Sequence, residues 1–168
     1  MIVKEKKLFL GNIKNALFPP EWDASNDSCY TLDPYNYNCY AYALQLRIPL
    51  IAYEDINYQP GFLTNATPCN KVYDQQSLLT GFLSDCEFLG LKAEETETDS
   101  PLMKSAYKIM VCHYDPAIQD FHFVRQNKDG NWSHIESWGE KPTLVSAQSE
   151  LRYFKKHGGT KTFNVYRK

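Results

Sequence analysis

The sequence predicts an α+β fold in which helices come first and most strands follow. Apolar residues recur at helical spacing in the first half of the chain, and after Asp85 the runs are typical of strands. A hairpin signal in the second half indicates that the sheet is at least partly antiparallel. The 168 residues are the usual size of one domain, so we expect a single domain over 1–168 with an irregular segment over 1–37.

Two helices are predicted in the first half of the chain. Asn38 can cap a helix over 39–47, because its side chain can accept a hydrogen bond from the first turn and Pro49 stops the helix. Asp74 can cap a second helix that runs to about Ser84. Its apolar residues form one stripe: Leu78, Leu79, Phe82 and Leu83.

The strands begin with runs over 88–93 and 107–114, which are rich in apolar and β-compatible residues. The runs over 121–126 and 131–136 flank Asn-Lys-Asp-Gly, which predicts a hairpin with Gly130 at a positive φ. A type I turn with a bulge at Gly130 gives paired residues whose numbers sum to 258. His122 and His134 then share one face of the sheet, whereas a two-residue turn would place them on opposite faces.

The C-terminal part of the chain predicts one further helix and one further strand. The helix extends over about 146–156 and is closed by Gly158 and Gly159. The final strand extends over 162–166.

Among the five cysteines, Cys39 is the candidate nucleophile. An odd number of cysteines in a chain too large to need disulfides favours reduced thiols. Cys39 falls in the first turn of a predicted helix, where the helix N-terminus can lower a thiol pKa. The others lie in a strand (Cys112), at the end of a helix (Cys86) or in loops (Cys29, Cys69).

His122 is the candidate base, because it lies early in a strand between Phe121 and Phe123, whose rings can hold the imidazole and limit water. The third member of the site is His134 or Glu136 on the partner strand. Either can accept the proton of the second ring nitrogen and support the imidazolium.

Asn-Cys-Tyr-Ala-Tyr-Ala-Leu over 38–44, Asp-Phe-His-Phe over 120–123 and His134 together resemble the NlpC-type branch of the papain-like cysteine hydrolases. The resemblance implies an α+β core in which a helix presents the nucleophile against a small antiparallel sheet. It implies Cys39 as nucleophile, His122 as base and His134 as the orienting residue. It also implies a hydrolase that cleaves an amide bond through a thioester, with no cofactor and no metal.

The residues of the resemblance cover 38–138, and two departures concern the oxyanion hole. Asp27 stands where family members often have a tyrosine, and no glutamine precedes Gln45. The backbone N–H of Cys39 is a natural donor for the oxyanion. Residues that can line a substrate cleft are Tyr30, Tyr35, Tyr37, Tyr40, Tyr42 and Asp120, although the tyrosines can equally pack the N-terminal segment onto the helix.

Other interpretations stay open. A peptide, protein or peptidoglycan amide suits this set of residues, and so does a glutamine side chain in deamidation or transamidation. A zinc site could use Asp120, His122, His134 and Cys112 or His113, although apart from Asp120 and His122 no short ligand spacing supports it. A binding module that keeps the fold without its chemistry is the alternative from another class.

Charge and termini restrict the partners. Lys and Arg number 18 and Asp and Glu number 20, a net charge of −2 that argues against nucleic acid and against a polybasic membrane anchor. We expect a monomer. The first eleven residues carry an apolar run too short for a secretory signal, so we expect a cytoplasmic protein or one that a dedicated apparatus delivers from the cytoplasm.

Overall fold

In a computed structural model of the chain, the structure describes residues 38–44, 59–64, 74–114, 120–127, 130–136 and 142–167. The α+β class is confirmed in these ranges, where helices pack on an antiparallel sheet. The helices are α1 (Cys39–Ala43), α2 (Gln75–Phe88) and α3 (Ala147–His157). The strands are β1 (Leu91–Thr96), β2 (Tyr107–Tyr114), β3 (Phe121–Gln126), β4 (Trp132–His134), β5 (Thr143–Val145) and β6 (Gly158–Arg167).

The six strands form one sheet in the order β1-β6-β2-β3-β4-β5, and every neighbouring pair is antiparallel. The last strand of the chain therefore lies between β1 and β2. The bounds of β2 and β3 are those predicted from the sequence, whereas β5 was not predicted, because its three residues are mostly exposed and carry no clear strand pattern.

Apolar side chains cover both faces of the sheet. Ile109 and Val111 of β2 face α1 and α2 in the larger core cluster. Met110 and Cys112, which alternate with them, pack in a second cluster with Phe154 of α3. The sheet is thus a middle layer, with α1 and α2 on one side and α3 on the other.

The first two helices begin where the sequence predicted. Asn38 Oδ1 accepts a hydrogen bond from the Ala41 N–H at 2.8 Å, and Asp74 caps α2 in the same way. The part of the first predicted helix over 45–47 lies outside the described residues. The predicted end of α2 at Ser84 is wrong: the helix continues to Phe88, since no Gly or Pro lies between Ser84 and Gly90, which has a φ of 73°.

Two further predictions for this part of the chain fail. The strand predicted over 88–93 begins only at Leu91, because the residues before it still belong to α2 or to the turn after it. Leu83 is 40% exposed and does not share the buried stripe of Leu78 and Phe82, because the side chain points away from the sheet.

The predicted hairpin register is confirmed. Arg125 pairs with Ser133 and Gln126 with Trp132, so the numbers sum to 258. The Asn127 N–H donates to the Asn131 carbonyl at 2.7 Å, and Gly130 has a φ of 87°. The second strand of the hairpin is shorter than predicted, since β4 contains only residues 132–134.

The third helix is confirmed over 147–157, and Ser146 caps it. Gly158 and Gly159 do not close this helix but begin β6, which is twice as long as the predicted strand. A Cβ on Gly158 would lie 1.9 Å from the His113 carbonyl oxygen, so the close approach of β6 to β2 requires glycine there.

A buried carboxylate ties three segments together on the α1 side of the sheet. Asp85 of α2 accepts hydrogen bonds from the Tyr40 hydroxyl at 2.7 Å and from the Gly61 N–H at 2.8 Å. Its other oxygen accepts from the N–H and the hydroxyl of Thr64. Asp85 therefore links α1 and the segment over 59–64 to α2.

No helix within the described ranges is long and apolar enough to cross a membrane.

Candidate active site

Cys39 is the first residue of α1, and its partly buried side chain packs against the larger core cluster. Its thiol interacts with the backbone of Phe123 in β3. Because the Phe123 amide nitrogen is bonded to the carbonyl carbon of His122, the thiol lies beside the peptide that joins these two residues. The helix thus brings the candidate nucleophile to the strand that carries the candidate base.

Burial dominates the chemistry of this thiol. It raises the pKa of Cys39 to about 12, and the Phe123 backbone opposes this effect only in part, while the charge of Asp120 adds to it. The backbone groups of Cys39 and Tyr40 at the helix start lower the pKa as expected, but burial outweighs them. The five residues of α1 make a small dipole, and the loss of water around the thiolate outweighs it.

His122 lies on the opposite face of β3 from its neighbours in sequence. Phe121 and Phe123 point toward α1 and α2, where the Phe123 ring meets Tyr40 at 4.9 Å between centroids. The expectation that these two rings hold the imidazole is therefore wrong, because adjacent residues of a strand alternate between faces. Phe154 of α3 holds it instead, stacked at 6.2 Å with 9° between the planes.

The structure brings His122 and His134 into direct contact. His122 Nε2 and His134 Nδ1 share a hydrogen bond of 2.6 Å, and the two rings meet edge to face. Burial lowers the pKa of His122 to about 4, with the neighbouring His134 adding to the effect, and burial also lowers the pKa of His134. Both rings are thus neutral at pH 7, with one proton in the bond between them.

Glu136 occupies a more distant position in the same line of groups. Its carboxylate lies 3.6 Å from His134 Nε2, and its side chain is 71% exposed. Of these three side chains, His134 lies in the middle and contacts both His122 and Glu136. His134 is therefore the direct neighbour of the candidate base, and Glu136 is the neighbour of His134.

The thiol and the imidazole are not joined, since Cys39 packs against the core on the α1 side of the sheet and His122 stacks on Phe154 of α3. No hydrogen bond links Cys39 to His122 in the ranges that the structure describes, where the His122 ring turns instead toward His134 and Phe154. The ladder between β3 and β4 covers only Arg125 and Gln126, so His122 lies beyond its end.

The residues predicted to line a substrate cleft differ in where the structure places them. Tyr30, Tyr35 and Tyr37 lie outside the described residues. Tyr40 does not line a cleft: it is 1% exposed, and its hydroxyl is bound to Asp85. Tyr42 is also buried, with its hydroxyl 2.6 Å from Ser133 Oγ. The cleft residue that stays exposed in the structure is Asp120, which accepts from the Phe121 N–H at 2.7 Å.

The remaining cysteines and zinc-ligand candidates are less suited to chemistry. Cys86 and Cys112 are free and buried, and burial raises the pKa of each. Cys29 and Cys69 lie outside the described residues. Cys112 pairs with His122 across the sheet, but His113 points to the other face and its Nδ1 donates to the Gly159 carbonyl oxygen at 2.9 Å.

Three side chains near the site were not predicted from the sequence. Phe154 stacks on His122, Glu150 lies close to both histidines, and Asp85 anchors the residue after Cys39. Glu150 and Phe154 are four residues apart in a predicted helix, so they share a face. This spacing could have predicted that Glu150 and Phe154 lie side by side. It does not indicate which part of the fold their face of the helix contacts.

Comparison of the chain with protein-family models, curated proteins and solved structures gives no match. The function is therefore inferred from the side chains themselves. The arrangement supplies a partly buried thiol at the start of α1, a neutral imidazole on β3 and a second imidazole bound to the first.

Proposed function

We propose that this chain is a cysteine-dependent hydrolase of an amide bond with a papain-like core of NlpC type. The observation that carries the proposal is the placement of Cys39, at the start of a helix, beside the peptide of His122, whose ring is bound to His134. A nucleophile, a base and a group that orients the base are the parts that acyl transfer through a thioester requires.

In the proposed reaction His122 acts on Cys39 through its Nδ1, because Nε2 is bound to His134. Nδ1 takes the thiol proton as the sulfur attacks the amide carbonyl carbon. His122 then gives that proton to the departing amine, and the carbon–nitrogen bond breaks to leave a thioester. His122 next takes a proton from water, whose oxygen attacks the thioester, and the proton returns to the sulfur as the acid is released.

The resting pair is a neutral thiol and a neutral imidazole, since burial disfavours both charged forms. Proton transfer therefore accompanies the attack instead of preceding it. The substrates that suit this chemistry are a peptide or isopeptide bond in a protein, a peptide of peptidoglycan, or a glutamine side chain.

Variants of the three residues test the proposal on a panel of these amides. We expect Cys39→Ala to abolish turnover, His122→Ala to lower it about 100-fold or more, and His134→Ala to leave a measurable residue. Release of ammonia instead of an amine or peptide identifies a deamidase or transamidase. Full activity in Cys39→Ala would contradict the proposal.

One observation favours a second candidate function, a binding module on the same fold. Burial opposes ionisation of the Cys39 thiol, and no hydrogen bond from it to His122 exists among the described residues. If the chain is such a module, we expect Cys39 to react with iodoacetamide no faster than a free thiol of the same pKa. We also expect His122→Ala to leave the rate of this reaction unchanged.

A further inference from the structure

On the face of the sheet that α3 covers, three side chains bring potential metal ligands together. His122, His134 and Glu150 each offer one ligand atom, and these atoms all lie within 4.8 Å of one another. The residues come from three separate elements, β3, β4 and α3. The thiol chemistry proposed above uses the two histidines but has no part for Glu150.

We propose that His122, His134 and Glu150 form a binding site for a Zn²⁺ ion. Two imidazole nitrogens and one carboxylate oxygen are a ligand set that zinc accepts in proteins, with a fourth position left for water. His122 and His134 already aim Nε2 and Nδ1 at each other, 2.6 Å apart, so both nitrogens point into the same space. When the metal binds, the proton of their hydrogen bond leaves for water and the ring that lost it is protonated on its other nitrogen.

The required movement is small. Tetrahedral zinc holds neighbouring ligand atoms about 3.4 Å apart, given metal–ligand distances of about 2.0–2.1 Å. The two nitrogens would have to separate by roughly 0.8 Å, and the Glu150 carboxylate would have to approach by about 1.4 Å at most. Glu150 lies in the first turn of α3, one turn before Phe154, which stacks on His122. Helix α3 therefore fixes both the carboxylate and one of the imidazoles.

Zinc at this site would block the proposed reaction, an inference that rests on the proposed function. An imidazole bound to a metal through Nε2 keeps its proton on Nδ1. His122 could then not accept the thiol proton of Cys39. Zinc binding itself does not depend on that reaction and can be measured without it.

The test is a calorimetric titration of the full-length, metal-free protein with Zn²⁺, together with absorption spectra of the Co²⁺ form. We expect one ion per chain and, in the Co²⁺ form, ligand-field bands without a thiolate charge-transfer band. Glu150→Gln should weaken binding about tenfold or more, because a neutral amide oxygen is a poorer ligand than a carboxylate. His134→Ala should have at least the same effect, and circular dichroism reports whether each variant is folded.

Two control variants sharpen the result. His157→Gln removes a histidine at the end of the same helix, beside Tyr153, and should leave the affinity unchanged. Cys39→Ser should also retain zinc. The metal site is overturned if the wild-type protein binds no stoichiometric zinc, if Glu150→Gln binds as the wild-type protein does, or if Cys39→Ser loses the ion. If zinc binds as expected but Cys39 is unreactive with and without it, the metal site stands and the proposed hydrolase does not.

Discussion

His122 is held between two rings, and this determines what its imidazole can do. Phe154 covers one face, and His134 occupies Nε2. The remaining nitrogen, Nδ1, is the atom left for the thiol proton. Burial keeps the ring uncharged at pH 7, so it is in the protonation state that a general base requires.

The contribution of His134 can be separated from that of Glu136. We expect His134→Ala to slow alkylation of Cys39 about tenfold to 100-fold, since the group that orients His122 is lost. Glu136→Gln should change the rate less than about twofold, because an exposed carboxylate is screened by solvent. The measurement is the rate of iodoacetamide modification at Cys39, followed by mass spectrometry. A larger effect at Glu136 than at His134 would reverse the assignment of the third residue.

At the scale of elements, α1 is too short to hold its own position and depends on its contacts. Tyr40 is anchored to Asp85 of α2, and Tyr42 is anchored to Ser133 of β4. Isolated helices of this length are unstable in water, so these hydrogen bonds and the packing on β3 determine where Cys39 lies. The carboxylate of Asp85 also accepts hydrogen bonds from the backbone N–H groups of Gly61 and Thr64.

Replacement of Asp85 by Asn should lower the free energy of unfolding by about 1–3 kcal/mol, because the amide can accept fewer of the four hydrogen bonds and would direct N–H groups at other donors. Denaturant unfolding followed by circular dichroism measures this. Glu87→Gln, which removes an exposed charge from the same helix, is the control and should change stability by less than about 0.5 kcal/mol.

The pH dependence of this difference has a defined sign. Burial raises the pKa of Asp85 in the folded state above its value in the unfolded chain. The stability gained from the protonated form is therefore complete below the unfolded pKa and is lost as pH rises through the folded pKa. We expect the advantage of the wild-type protein over Asp85→Asn to shrink from acid toward neutral pH. A growing advantage over that interval would contradict the raised pKa.

At the scale of the whole molecule, the order of the strands makes the C-terminus essential to the fold. β6 pairs with β1 over six residues and with β2 over eight, and it separates these two strands. β1 has no other strand neighbour in the described sheet. β6 is therefore an internal strand that joins β1 to the rest of the sheet.

Removal of residues 158–168 should prevent folding, because β1 and one edge of β2 would lose their partners and the buried Phe163 and Val165 would be absent from the core. Circular dichroism and one-dimensional proton NMR should report an unfolded chain. A cooperatively folded protein after this truncation would show that the fold does not depend on β6.

Local signals predicted the parts of this molecule that local chemistry determines. The hairpin followed from Asn127 and Gly130, and the starts of the first two helices followed from Asn38 and Asp74. The wrong predictions depended on distant contacts. Gly158 resembles a helix stop in the sequence but is required by the close approach of His113, forty-five residues away in the chain.

In the candidate site, too, local signals predicted some features and distant contacts determine the others. The register placed His122 and His134 on one face, and the structure has them in contact. The stacking of Phe154 and the proximity of Glu150 depend on which layer α3 joins, and the pKa of Cys39 depends on how deeply α1 is buried. A hydrophobic pattern identifies a buried face but not its neighbour.

The most direct test of the central claim, that His122 acts as the base for Cys39, is the rate at which iodoacetamide modifies Cys39 at pH 7 in the metal-free wild-type protein and in His122→Ala. We expect Cys39 to be modified in the wild-type protein and the rate to fall about 100-fold or more in the variant. The buried thiols of Cys86 and Cys112 serve as internal references and should stay unmodified in both proteins. Equal rates at Cys39 in the two proteins would contradict the claim.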